Sequence, residues 1–168
     1  GTSFIDGIYV SSGILDIYNN FVDDLNNPSS TSTTAAVAGV YLSGGTTVNL
    51  YYNTVFLKYT SAVAGNISTA LYVASTAPTT VDMRDNIFVN SVDVTTGTRA
   101  VAFTKGGTSL TNLAATVNNS LYYAGTPSAK NLIIYDGANS DQTIDAYKAR
   151  VGPREASSFT ENPPFINS

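Results

Sequence analysis

The stretch Leu50-Tyr51-Tyr52-Asn53-Thr54-Val55-Phe56-Leu57 decides the fold, because altered copies of it recur along the chain. Its asparagine has counterparts that follow one another at a constant interval of 33 positions: Asn20, Asn53, Asn86 and Asn119. An apolar residue follows each asparagine by two positions, as Val55 follows Asn53. A fixed period in this range is typical of repeats that stack on one another.

Each repeat also carries an apolar triplet followed by a polar or glycine-containing turn. The triplets are Ile8–Val10, Val40–Leu42, Leu71–Val73, Val101–Phe103 and Ile133–Tyr135. One repeat therefore predicts three short strands: the triplet, a strand before the asparagine and a strand after it. Loops rich in Gly, Ser, Thr and Pro take up the differences in length. The pattern predicts an all-β, parallel β-helix of about five coils in a single domain over residues 1–168.

Alternation along the triplets predicts which side chains face the core. The first and third residues of each triplet, including Val101 and Phe103, are expected to point inward, and the middle residues outward. The asparagines are expected at the bends between two strands, where Asn tolerates a left-handed backbone conformation. Stacked Asn amides also hydrogen-bond along a stack. We therefore interpret the asparagine row as a structural ladder.

The end of the chain has a different pattern. Residues 140–153 predict one short C-terminal helix, with Ser140 or Asp141 as its cap and Gly152-Pro153 as its stop. Ile144, Tyr147 and Val151 would share one face of this helix.

Composition excludes several classes of function. The chain contains no His and no Cys, so it cannot build a Ser-His or Cys-His nucleophile, and a zinc site is not expected. Its eight Lys and Arg residues are scattered, which argues against nucleic-acid binding. No apolar run is long enough to span a membrane. Because the chain begins at Gly1 without a signal peptide, we expect either a removed leader or a segment of a longer secreted protein.

Three motifs resemble the repeats of right-handed parallel β-helix proteins of the pectate-lyase-like superfamily. They lie at residues 51–56, 84–88 and 118–122, and the closing segment 158–167 resembles the ends of such repeats in secreted bacterial proteins. The resemblance covers residues 5–167 and implies a right-handed coil. It is weak for activity, because the superfamily includes lyases, hydrolases, adhesins and non-catalytic surface proteins. A non-catalytic secreted or surface type fits this chain best.

One outer row holds the candidates for catalysis. Asp16 and Asp82 occupy equivalent positions two coils apart, separated by about 9.6 Å, near the upper end of the range for inverting glycosidases. The resemblance implies aspartate clusters in hydrolases, and calcium-binding aspartates with a basic residue in lyases. Arg84 and Asp85 lie beside Asp82 and complete the candidate set. The alternative, which we favour, is an ordinary solvated row.

No cofactor is predicted, although calcium remains open. Asp6, Asp23 and Asp24 would suit loose calcium binding, but no spaced pattern of oxygen ligands accompanies them. The sequence therefore predicts no metal site.

Two outward tyrosine rows are the candidates for a binding surface. One consists of Tyr9, Tyr41 and Tyr72, and the other of Tyr18 and Tyr51. Exposed aromatic rings contact sugars or proteins, but they also serve as cross-strand packing on a sheet.

The resulting hypothesis is a structural secreted or cell-surface module that associates through the ends of its β-helix into a homo-oligomer or filament. Two alternatives stay open: a polysaccharide lyase or glycoside hydrolase, and a non-catalytic carbohydrate-binding module with polysaccharide as its partner.

Overall fold

The computed structural model describes residues 1–95 and 98–165, which form a β-solenoid of about four turns with one short helix near the C-terminus. The first three coils contain three strands each: β1 (Ile5–Val10), β2 (Ile14–Tyr18) and β3 (Phe21–Val22); β4 (Val37–Leu42), β5 (Thr47–Tyr51) and β6 (Thr54–Leu57); β7 (Ile67–Val73), β8 (Thr80–Arg84) and β9 (Ile87–Asn90). The remaining elements are β10 (Arg99–Lys105), β11 (Leu121–Tyr123), β12 (Asn131–Tyr135), β13 (Ser140–Asp141) and α1 (Ile144–Val151).

The strands stack into three parallel sheets. Sheet A runs β1-β4-β7-β10-β12, with β13 added antiparallel at its end; sheet B runs β2-β5-β8, and sheet C runs β3-β6-β9-β11. Sheet A thus has the five levels that the triplets predict. Sheet B has fewer levels, because in the fourth coil Leu113 and Asn118 make only isolated bridges to β8. The parallel β-helix predicted from the sequence is confirmed.

Close approach of sheets A and C requires glycine in the interior of β4. A Cβ on Gly39 would overlap the side chain of Val55 and would lie 2.7 Å from the carbonyl oxygen of Ala70. Gly7 has the same relation to Val22 one coil earlier. The two glycines therefore leave room for Val22 and Val55 of sheet C to reach across the narrow core.

The predicted register of the fourth triplet is wrong by two residues. Phe103 pairs with Leu71, and Lys105 pairs with Val73. Ala102 packs in the main core, whereas Val101 is buried outside it in a separate cluster. Alternation does not define the faces of a continuous apolar run, so the sequence leaves this register open.

The asparagine ladder is present, but its fourth member is Ser120 rather than Asn119. The Ser120 hydroxyl accepts the Asn86 amide N–H at 3.2 Å, because β11 pairs with β9 one residue later than the constant period requires. The left-handed residues are also not the ladder residues. They stand one position earlier, with φ between 56° and 61°: Asn19, Tyr52, Asp85 and Asn119. In each coil, therefore, the residue with positive φ makes the bend, and the ladder residue that follows it directly forms a side-chain hydrogen bond with the neighbouring coil.

Helix α1 closes the C-terminal end of the solenoid. Its cap is Thr143, whose hydroxyl accepts the amide N–H of Ala146 at 3.3 Å. The predicted caps, Ser140 and Asp141, lie instead in β13, where they pair with β12. Tyr147 and Val151 are buried in the main core, as the predicted apolar face requires. Within residues 1–95 and 98–165, no helix is long and apolar enough to cross a membrane.

Candidate functional site

Three of the four candidate catalytic residues, Asp16, Asp82 and Arg84, lie on the outer face of sheet B. Asp16, Asn49 and Asp82 stack in register, and beside them Tyr18, Tyr51 and Arg84 form a second row. The Asn49 side chain donates to the Asp16 carboxylate at 2.8 Å. The predicted rows therefore exist, and the structure places Asp16 and Asp82 on either side of an asparagine.

Asp82 and Arg84 are bound to each other. The Arg84 guanidinium donates to Asp82 Oδ2 at 2.7 Å and to the Tyr51 hydroxyl at 2.9 Å, and it lies over the Tyr51 ring at 4.8 Å from the centroid. Tyr51 donates in turn to Asp82 Oδ2 at 3.1 Å. The hydrogen bonds from Arg84 to Tyr51 and Asp82 raise the pKa of Arg84, which keeps the guanidinium charged. A paired Arg84 is not available as a base in this arrangement.

Asp85 does not join this group. It is a bend residue with φ of 58°, and its amide N–H donates to the Asn118 carbonyl at 3.4 Å. Together with Tyr51, Tyr52 and Arg84 it lines a shallow cleft of about 120 Å³. The four predicted catalytic residues are thus divided between a sheet face and a bend.

The tyrosine row on sheet A forms a continuous aromatic stack. The ring centroids of Tyr9 and Tyr41 are 5.5 Å apart, and those of Tyr41 and Tyr72 are 4.3 Å apart. Burial, with smaller contributions from Tyr72 and Asp6, raises the pKa of Tyr41 to about 12. Exposure falls along the row, from 58% for Tyr9 to 9% for Tyr72. Only the first ring of the stack is therefore freely accessible.

The first coil is exposed on all three sheets. Leu15 keeps 36% of its surface exposed, whereas Val48, its neighbour in register, is fully buried. Within the described residues, each of the three strands of this coil pairs with a neighbour on one side only. The residues of the first coil therefore present a row of unpaired backbone groups above a partly open core.

The opposite end contains a buried carboxylate. Glu155 is fully buried, and its Oε1 accepts the hydroxyls of Tyr122 at 2.7 Å and Tyr147 at 3.2 Å. Its Oε2 accepts the hydroxyl of Ser158. Burial raises the pKa of Glu155 despite these hydrogen bonds. Through Tyr122, Tyr147 and Ser158, the Glu155 carboxylate links sheet C, helix α1 and the closing segment that begins at Ser158.

The structure does not bring the acids considered for calcium into one cluster. Among the described residues, no three His, Cys, Asp or Glu side chains lie together where they could hold a metal. The Asp23 carboxylate accepts the amide N–H of Asp24 at 2.6 Å, and Asp6 is partly buried on sheet A. Burial raises the pKa of Asp6.

Sequence reasoning missed three residues that matter for these surfaces. Thr104 interrupts the tyrosine row, Lys105 has its stem in a core row, and Glu155 is the buried acid. The positions of Thr104 and Lys105 follow once β10 is paired with β7 in the correct register. The signal for that register is the pairing of two large apolar residues, Phe103 and Leu71. Nothing in the local sequence marks Glu155 as buried.

Comparison of the chain with protein-family models, with curated proteins and with solved structures found no match.

Proposed function

We propose that this chain is a structural β-solenoid module that associates with a second copy through its first coil. The observation that carries the proposal is the concentration of exposed apolar side chains at that end. Among the described residues, nine large hydrophobic side chains are exposed, and seven of them lie between Phe4 and Phe21. They are Phe4, Ile5, Tyr9, Ile14, Leu15, Tyr18 and Phe21.

Backbone geometry supports the same surface. Strands β1 and β2 offer unpaired N–H and C=O groups, which are a template for strand addition. Asn20, the first ladder residue, donates to Asn53 Oδ1 at 2.9 Å, and its own Oδ1 accepts no hydrogen bond among the described residues. An added strand layer would satisfy these groups and would cover Leu15.

The two ends of the solenoid differ, and this difference selects the mode of association. A head-to-tail filament requires two open ends, whereas α1 covers the C-terminal end with Tyr147 and Val151. We therefore propose a head-to-head dimer about a two-fold axis, in which first-coil strands pair antiparallel, rather than the filament that the sequence suggested. Such an isologous contact closes on itself and does not polymerise.

Membership of the pectate-lyase-like superfamily, a non-catalytic role and a secreted or cell-surface location remain part of this proposal. They rest on the sequence motifs described above. A lyase or hydrolase is the less favoured function, because Arg84 and Asp82 satisfy each other and Asp16 is bound by Asn49.

The test is the molar mass in solution, measured by light scattering on size-exclusion eluate over a range of concentrations. We expect a dimer that Leu15→Lys converts to a monomer, because the charge would lie in the contact while the lysine still reaches solvent in the free chain. Tyr52→Lys is the matched control: Tyr52 is 61% exposed but lies outside the first coil, and its variant should remain dimeric. A monomer at every concentration, or a dimer that survives Leu15→Lys, would overturn the proposal.

A further inference from the structure

A cleft lies beside helix α1, at the end of the solenoid opposite the first coil. Its volume is about 360 Å³, which is within the range of small-molecule sites in proteins. Three parts of the chain form its walls: the loop between β11 and β12, the first turn of α1 with the residues before it, and the closing segment. Each wall carries an exposed residue, namely Pro127, Gln142 and Thr160, so the cleft opens to solvent.

Apolar side chains that keep accessible surface line the inside of this cleft. Ile144 is on the same face of α1 as Tyr147 and Val151, but those two residues are buried in the core, whereas Ile144 lines the cleft and stays partly exposed. Tyr123 and Pro127 also line it, and neither is buried. Protein interiors are normally packed as densely as organic crystals, so an open apolar space between packed elements is unusual. The cleft therefore offers reachable apolar surface to the body of a small molecule.

Two carboxylates make the rim of the cleft negative. Asp145 in the first turn of α1 and Glu161 in the closing segment both line it, and both residues are exposed. Within residues 1–95 and 98–165, neither carboxylate has a hydrogen bond or an ion pair. The described residues that line the cleft include no Lys or Arg. A cleft whose charges all have one sign concentrates their field, so this rim attracts a cation and repels an anion.

The basic residues of α1 are bound elsewhere. The Lys148 ammonium donates to the Ser158 carbonyl at 2.7 Å. The Arg150 guanidinium donates to Asp141 at 2.8 Å and to Asp136 at 3.1 Å. The negative charge at the rim of the cleft is therefore not neutralised by the helix that forms one of its walls.

We propose that this cleft binds a small primary amine, in which a short chain joins one apolar ring to an ammonium group. The ring would pack against Tyr123 and Ile144, and the ammonium group would meet the carboxylates of Asp145 and Glu161. An ammonium group has three N–H donors and carboxylates are acceptors only, so the two kinds of group are complementary. The cleft and the first coil are at opposite ends of the solenoid, so this site does not depend on the proposed dimer.

The test titrates the full chain with 2-phenylethylamine and follows backbone amide chemical shifts by NMR. We expect a dissociation constant on the order of 1 mM, with shifted signals for Ile144, Asp145 and Glu161. Two probes with the same ring isolate the role of charge: 2-phenylethanol is neutral, and 3-phenylpropionate is an anion at neutral pH. The alcohol should bind at least about fivefold more weakly than the amine, and the anion more weakly still. Absence of amine binding, or binding of the alcohol or the anion as tight as that of the amine, would overturn the proposal.

Charge variants test whether the two carboxylates recognise the ammonium group. Asp145→Asn and Glu161→Gln should each weaken binding of the amine roughly two- to fivefold, the value of one exposed ion pair, and should leave binding of the alcohol unchanged. The double variant should no longer prefer the amine to the alcohol. Asp93→Asn is the matched control, because Asp93 is exposed, does not line the cleft and loses the same charge without an expected effect on either affinity. A double variant that keeps its preference for the amine would also contradict the proposal.

Discussion

The side-chain amide of Asn53 donates to Asn86 Oδ1 at 3.1 Å and to the Ile17 carbonyl at 2.8 Å, so one residue joins three successive coils. Its own Oδ1 accepts both the amide N–H and the side-chain N–H of Asn20. Asn53 is 1% exposed. The ladder therefore satisfies buried polar groups on every coil that it touches, which explains why a polar residue recurs at an interior position.

Asn53→Ala is expected to destabilise the fold more than Asn20→Ala does. The first change removes a fully buried side chain with its bonds to Asn86 Oδ1 and to the Ile17 carbonyl, and it takes away the acceptor of the Asn20 amide N–H, so it should cost about 2–4 kcal/mol in the free energy of unfolding. Asn20 lies at the open end, where water replaces a lost bond, so its replacement should cost about 1 kcal/mol or less. Urea denaturation of the two variants measures the difference. Equal losses would show that the ladder does not depend on burial.

Much of the fold can be predicted from the sequence, because each coil must place its ladder residue and its apolar residues level with those of the coil before it. The interval between Asn53 and Asn86 predicts the stack, and the apolar residues beside them predict the core. Ser120 replaces Asn119 in the ladder because one added residue before the bend shifts the register of β11. A count of intervals cannot detect that shift when an asparagine happens to stand at the expected position.

The candidate surfaces were only partly predictable. Alternation placed Asp82 and Tyr51 in outer rows, but the pairing of Asp82 with Arg84 depends on side-chain conformations. The interruption of the tyrosine row at Thr104 was not predicted, because the continuous apolar run before it does not define a register. Burial of Glu155 depends on the closing segment returning over sheet C, a long-range contact that no local pattern shows.

Gly39→Ala should disrupt the narrow part of the core. A methyl group there overlaps Val55 and crowds the Ala70 carbonyl, so we expect a loss of about 1–3 kcal/mol in the free energy of unfolding. Combining it with Val55→Ala should cost less than the sum of the two single changes, because the smaller side chain makes room for the methyl group. Chemical denaturation of the four proteins of this cycle tests the contact. Strict additivity would mean that Val55 is not what limits the space at Gly39.

Lys105→Met should make stability less dependent on pH above neutrality. Burial lowers the pKa of Lys105 from 10.5 to about 8 in the folded protein, with Asp136 opposing the shift. Between these two values the unfolded chain binds more protons at this site than the folded chain, so the contribution of Lys105 to stability rises with pH. The stability of Lys105→Met relative to the natural protein should therefore fall as the pH increases from 8 to 10.

Thermal denaturation of both proteins across that pH range measures the effect. Lys130→Met provides the control, because Lys130 is a loop residue for which we expect a constant difference. A constant difference for Lys105→Met as well would show that Lys105 stays protonated in the folded protein.

Glu155→Gln should stabilise the protein at neutral pH. It should also remove a contribution to stability that falls as the pH rises, whereas the contribution of Lys105 rises with pH. Burial raises the pKa of Glu155 above its ordinary value of 4.5, so between the unfolded and folded pKa values the folded chain binds more protons. The stability that the neutral carboxyl contributes is complete below the unfolded pKa and is lost as the pH rises through the folded pKa. Glutamine stays neutral and still accepts the hydroxyls of Tyr122 and Tyr147.

The difference in melting temperature between the variant and the natural protein should therefore grow from pH 4 to pH 7, whereas Glu161→Gln, a change at an exposed glutamate, should show no such trend. A variant that is less stable than the natural protein at pH 7 would mean that the charged carboxylate, held by its three hydroxyl donors, is the form that the fold requires.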